Sequence, residues 1–151
     1  MPNAAYYITL IALTVIMEAR GQPTLGQEMV AWVAVNRMGA SGLDAESVLY
    51  QRGQFAVWVD YDLRMRVLRC AAWGHFPEEP WCAGIPGGVG REEWERVYTM
   101  VEGIYLGERE PPEGLEGMLN FDNPRFHPGG LPEWLRGECA LIGDHLFCRK
   151  G

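Results

Sequence analysis

The chain has 151 residues, a length that suits one core and one domain spanning 1–151. Hydrophobic residues make up 48% of it, enough to fill a packed interior and too many for a disordered chain. The formal net charge of -7 leaves no basic stripe for nucleic acid, so no nucleic-acid partner is expected.

Ala4 to Met17 is an almost continuous apolar run closed by Glu18 and Arg20. It falls short of the roughly 20 residues that span a bilayer. No basic residue precedes it and no small-residue cleavage site follows, so a buried helix is expected, with no export signal and no stable membrane insertion. Asn3 is placed to cap this helix, which should run to about Ala19, with Gly21 as its stop. Thr24 is placed to cap a second helix through Met38, with Gly39 as its stop. Met29, Val30, Val33 and Met38 give that helix its apolar face, and Ala31 and Ala34 allow close packing. Asp44 opens a short helical turn through Tyr50, and Arg52 to Trp58 reads as a loop. A third long helix is expected from Asp60 or Asp62 to about Trp73. Gly74 to Gly90 holds three Pro and five Gly and reads as an irregular loop. Arg91 to Leu106 is a further helix, with Trp94, Val97, Val101 and Ile104 or Tyr105 at helical spacing. Pro111-Pro112 and Gly114 mark another loop. From about Met118 the tail holds a short strand, a Pro-rich turn and a hairpin.

The hairpin register follows from its turn. Gly143-Asp144 suits a two-residue type II′ or I′ turn. It pairs Ile142 with His145, Leu141 with Leu146 and Ala140 with Phe147. Cys139 then faces Cys148 in a non-hydrogen-bonded pair, where Cα atoms approach to about 4.5 Å, within reach of a disulfide. A Cys139–Cys148 bridge is expected, which leaves Cys70 and Cys82 to join the third helix to the loop around Trp81. Free thiols are the alternative in a reducing compartment. The four Cys form no C-x-x-C pair, so no metal site is expected.

Common catalytic signatures are absent from the sequence: no P-loop, no G-x-G-x-x-G after a strand, no H-E-x-x-H and no G-x-S-x-G. His75, His127 and His145 form no Cys–His signature. Glu18 stands out. A carboxyl at the end of an apolar helix is partly desolvated, and the helix C-terminus disfavours its negative charge. Both effects favour a group that keeps its proton near neutral pH, as a general acid must. On this chemistry alone a second role stays open, an exposed Glu paired with Arg20.

The run Met17-Glu18-Ala19-Arg20-Gly21-Gln22-Pro23 is followed in order by Gly26-Gln27, Val30-Ala31 and Val35-Asn36-Arg37. Val48-Leu49-Tyr50-Gln51, Gly53-Gln54-Phe55 and Trp58 come next. The tail holds Asn120-Phe121, Pro132-Glu133-Trp134 and Ile142-Gly143-Asp144-His145 with Phe147. Together these resemble the SleB-like family of spore cortex-lytic and cell wall hydrolases. The resemblance implies an α+β, mainly α, lysozyme-like compact helical domain with a small β element and the C-terminal hairpin. It also implies an enzyme without a cofactor that cleaves the peptidoglycan bond between N-acetylmuramic acid and N-acetylglucosamine, with Glu18 at the catalytic position. No second acid is tied to the matching motifs, and a lone Glu suits a lytic transglycosylase. A hydrolytic muramidase on the same fold is the alternative, with Asp60, Asp62 or Asp122 as the second carboxylate. A non-catalytic glycan-binding protein is the other.

Gln54, Phe55, Trp58, Asn120 and Phe121 are the expected substrate contacts, because amides and rings suit sugar hydroxyls and the apolar faces of sugars. Core packing is the competing role for each aromatic. Asn36, on an apolar helix face, needs buried partners and is expected to brace the loop carrying Gln54, and Arg37 to act likewise. Leu119-Asn120-Phe121 stands where the family commonly has Thr-His-Tyr, which removes two polar groups, and Glu28 stands where an apolar residue is usual. A stand-alone, signal-free chain of this kind is similar to phage endolysins, monomers that reach the wall after release by other proteins.

Overall fold

The computed structural model describes residues 4–51, 55 and 90–150. The expected third long helix, the loop from Gly74 to Gly90, Asn3, Gln54, Trp58, Asp60, Asp62, Cys70, His75 and Cys82 lie outside the described residues, Gly90 alone excepted.

Helix α1 (Ala4–Ala19) is the centre of the molecule. Its sequence is apolar on every side, and it is buried from Ile8 through Ile16 and again at Ala19. Two hydroxyls sit in this run, and each is satisfied inside the helix. Thr9 Oγ1 donates to the Ala5 carbonyl at 2.7 Å and Thr14 Oγ1 to the Leu10 carbonyl at 2.8 Å. No described helix is long and apolar enough to cross a membrane.

Helices α2 (Thr24–Ser41), α3 (Ala45–Leu49) and α4 (Arg91–Tyr105) pack around α1. Two expectations for α2 need correction. Thr24 is the first helical residue, and Pro23 holds the cap position without a side-chain bond. The helix also runs through Gly39 to Ser41 and stops at Gly42, whose φ of 72° lets its N–H reach the Met38 carbonyl at 2.9 Å. Glycine inside a helix costs only about 1 kcal/mol. The left-handed cap is where glycine is needed, and Gly42 supplies it. Asp44 caps α3 by accepting from the Ser47 N–H at 2.8 Å. Trp94, Val97, Met100, Val101 and Ile104 form the buried face of α4.

The tail forms an antiparallel sheet of β1 (Asn120–Asp122), β2 (Arg136–Ile142) and β3 (His145–Lys150), in the order β1-β3-β2. The hairpin register is the expected one, from Ile142 opposite His145 to Cys139 opposite Cys148. Gly143 has a φ of 59° and Asp144 does not have a positive φ, the pattern of a type II′ turn. Cys139 and Cys148 are bonded, with Cα atoms 4.1 Å apart. Phe121 of β1 faces Phe147 of β3 in the adjoining register, and the two rings stack at 5.4 Å. This aromatic face closes the helical core, so the fold is mainly helical with one small sheet.

Candidate active site

Glu18 lies in the last turn of α1 and is half-buried. The end of α1 and the turn that follows, Ala19 to Pro23, are held from three directions. From α4, Glu93 Oε1 lies 3.1 Å from the Arg20 guanidinium, a charge contact. From α2, Gln27 is buried and its Nε2 donates to the Ala19 carbonyl at 3.3 Å. From the hairpin, Gln22 Nε2 donates to Asp144 Oδ2 at 3.0 Å, and the Asp144 N–H donates to Gln22 Oε1 at 2.9 Å. Carbonyls at a helix C-terminus need partners, and here one comes from a different helix. The result is a carboxyl on a rigid stem, followed by a turn with little freedom to shift.

The hairpin tip approaches this turn closely. A Cβ on Gly143 would lie 2.3 Å from Gln22 Oε1 and 2.7 Å from Pro23 Cδ. Gly143 therefore serves both the type II′ turn and the contact. Gly26, in the first turn of α2, sits under Ile142 more loosely, since a Cβ there would lie in ordinary contact at 3.5 Å from Ile142 Cγ2.

Asn36 and Arg37 act at the other end of α2, about 15 Å along the axis from Gln27. Asn36 Nδ2 donates to the Met118 carbonyl at 3.0 Å. Arg37 Nη1 donates to the Leu119 carbonyl at 3.0 Å and to Asn120 Oδ1 at 2.9 Å, and its Nη2 donates to Gln51 Oε1 at 2.6 Å. Burial pulls the Arg37 guanidinium below its ordinary pKa. Arg37 thus ties the lead-in to β1 to Gln51, two residues past α3. A hollow of about 200 Å³ opens beside this network.

Asn120 and Phe121 are both buried. The Asn120 amide oxygen is taken up by Arg37. Phe55, only 1% exposed, packs edge-on against Phe121 at 5.8 Å. His145 meets the same ring edge-on at 5.2 Å. Phe55, Phe121, Phe147 and His145 therefore make one aromatic wall behind the sheet. Burial holds His145 below its ordinary pKa, against the opposing pull of Asp122 and Asp144.

Asp122 has both carboxylate oxygens engaged in its own turn. Oδ1 accepts from the Asn123 N–H at 2.8 Å, and Oδ2 lies 2.7 Å from His127 Nε2. Glu28 has a specific environment. Its Oε1 pairs with Arg109 at 2.8 Å and its Oε2 accepts from Trp32 Nε1 at 3.2 Å, so the buried carboxylate is satisfied twice. Neither this pairing nor the Gln22–Asp144 contact is visible as a motif. The only trace of the second is the Gly-Asp turn itself. No group of metal-binding side chains occurs among the described residues.

No curated protein and no solved structure gives a significant match to the chain. A family model described as Cell Wall Hydrolase matches residues 21–148, beginning just past Glu18. The span takes in the turn after α1, helix α2, the β1 strand and the hairpin up to the disulfide. The chain belongs to the cell wall hydrolase family.

Proposed function

We propose that this cell wall hydrolase cuts the glycan strand of peptidoglycan between N-acetylmuramic acid and N-acetylglucosamine as a lytic transglycosylase, with Glu18 as acid and then base. The observation that carries the reading is the placement of Glu18: half-buried, at the end of an apolar helix, ahead of a turn braced by α2, α4 and the hairpin. A general acid must be held in one geometry against its substrate, and rigid elements do this better than free loops.

In the proposed reaction the Glu18 carboxyl gives its proton to the glycosidic oxygen as the bond to the muramic acid C1 breaks. The resulting carboxylate then takes the proton of the 6-hydroxyl of the same sugar while that oxygen bonds to C1. Glu18 ends as it began, and the product carries a 1,6-anhydro ring. This scheme needs one carboxylate. Asp122 is committed to Asn123 and His127, which weighs against Asp122 as the second carboxylate of a paired mechanism. Gln54 and Trp58 are proposed as substrate contacts.

The test is mass spectrometry of purified peptidoglycan digested with wild type and with Glu18→Gln. Anhydro-ended fragments from wild type and none from the variant are expected. Reducing ends from wild type would replace transglycosylation by hydrolysis, and an active Glu18→Gln variant would remove Glu18 from the mechanism.

A further inference from the structure

A hollow of about 500 Å³ lies beside the Glu18 turn, and its volume is that of an ordinary ligand pocket. Two features join it to that turn. Thr24, which follows Gln22 and Pro23 directly, is on its rim. Glu92, also on the rim, precedes Glu93, the partner of Arg20.

The lining is of mixed charge over an apolar floor. Met100 is buried at the base. Arg109 lies on one side, oriented from behind by Glu28, which Trp32 in turn holds. Arg96 and Glu92 are exposed and four positions apart on α4, yet neither forms an ion pair with a described residue. At that spacing on a helix the two commonly pair with each other. Both are therefore open to a ligand that brings a carboxylate and an ammonium together. A neutral sugar ring offers neither group.

We propose that this hollow holds the peptide stem that peptidoglycan carries on its muramic acid, with Arg96 taking a stem carboxylate and Glu92 the ammonium of a diamino acid. The inference rests on the reading that the glycan strand lies at Glu18. A strand held there must send the stem of its muramic acid sideways, and the hollow adjoins the same turn. Recognition of this kind positions substrate without entering the chemistry.

The experiment is titration of the ¹⁵N-labelled chain with a soluble stem tetrapeptide, Ala-γGlu-diaminopimelate-Ala. Saturable shifts at Thr24, Arg96 and Thr99 are expected. Arg96→Ala should weaken binding about tenfold, the usual scale for losing one charge-assisted contact. Acetylating the side-chain amine of the peptide should weaken it as Glu92→Gln does. Glu18→Gln should bind the peptide as wild type does while losing glycan cleavage, which keeps the two readings separate. Absence of saturable shifts at these residues, or equal affinity for Arg96→Ala, would overturn the stem site whatever the fate of Glu18.

Discussion

Gln22 and Asp144 hold each other through two hydrogen bonds across 122 positions of the chain. The amide of Gln22 acts as donor with its nitrogen and as acceptor with its oxygen, and Asp144 answers with a carboxylate and a backbone N–H. The bonds are exposed, so their worth to stability is only about 0.5–1.5 kcal/mol each. In the proposed mechanism their worth is of another kind, because they fix the turn that follows Glu18. Gln22→Ala is expected to lower kcat about tenfold while barely moving Tm, since a small misplacement of a catalytic group costs rate out of proportion to stability. Asp144→Asn alone, which keeps an acceptor oxygen and the same N–H for Gln22, should retain most of the rate. Gly143→Ala should be worse than either, costing about 1–3 kcal/mol, because its φ is 59° and the new Cβ would strike Gln22 and Pro23. Steady-state kinetics beside thermal melts separates these effects, and an unchanged kcat for Gln22→Ala would remove the positioning role.

The Cys139–Cys148 bridge closes a short loop of sequence separation 9. A cross-link of that span contributes about 2–3 kcal/mol by limiting the unfolded chain. For a chain of this length that corresponds to a fall in Tm of about 5–10 °C on losing the bridge. The double replacement Cys139→Ala with Cys148→Ala isolates this bridge from Cys70 and Cys82, and differential scanning of the variant reads the effect. Identical melts for variant and wild type would show that the bond adds nothing to the folded state.

That bridge was legible in the sequence because a two-residue turn leaves no freedom in register. Once Gly143-Asp144 is the turn, the cross-strand pairs follow as far as Cys139 with Cys148, beyond which the register shifts by a bulge before Arg136 meets Lys150. The end of α2 was less legible, since Gly39 and Gly42 both serve as stops in one dimension and only the backbone shows which is left-handed. Glu18 stood out by contrast, as an acid closing an apolar run. Its braces did not stand out, because Gln22, Gln27 and Arg20 find partners on the hairpin, on Ala19 and on α4. Such pairs are set by packing between separate elements, whether neighbouring in sequence, as with Gln27 and Ala19, or distant, as with Gln22 and Asp144. Asn36 and Arg37 show the same limit. A polar pair on an apolar face demands buried partners, yet nothing in the sequence names Met118, Leu119, Asn120 and Gln51.

Glu28 and Arg109 test how a buried charge is tolerated. The Glu28 side chain is 10% exposed and that of Arg109 45% exposed. Arg109→Ala leaves the carboxylate with Trp32 alone and is expected to cost about 1–3 kcal/mol, below the value for a fully buried pair because Arg109 is half in solvent. Adding Glu28→Leu to that variant should recover part of the loss, since an apolar side chain of similar size needs no partner but leaves Trp32 Nε1 without its acceptor. Chemical denaturation of the two single variants and the double gives the coupling directly. Additive losses would mean that the two residues do not act as a pair.

His145 gives the fold a pH dependence of definite sign. Its ring packs edge-on against Phe121 and Phe147, and its buried Nδ1 has no hydrogen-bond partner among the described residues. Burial lowers its pKa from the ordinary 6.5, while Asp122 and Asp144 pull the other way without prevailing. In the window between the lowered folded value and 6.5 the unfolded chain binds more protons than the folded one, so stability rises with pH there. The full contribution is present above 6.5 and is lost as pH falls through the folded value. His145→Phe keeps an aromatic ring beside Phe121 and Phe147 but does not titrate. Melting wild type and His145→Phe from pH 5 to pH 8 should show wild type losing stability on the acid side faster than the variant. Parallel curves across that range would place the proton uptake elsewhere, and a steeper loss in the variant would reverse the assigned sign.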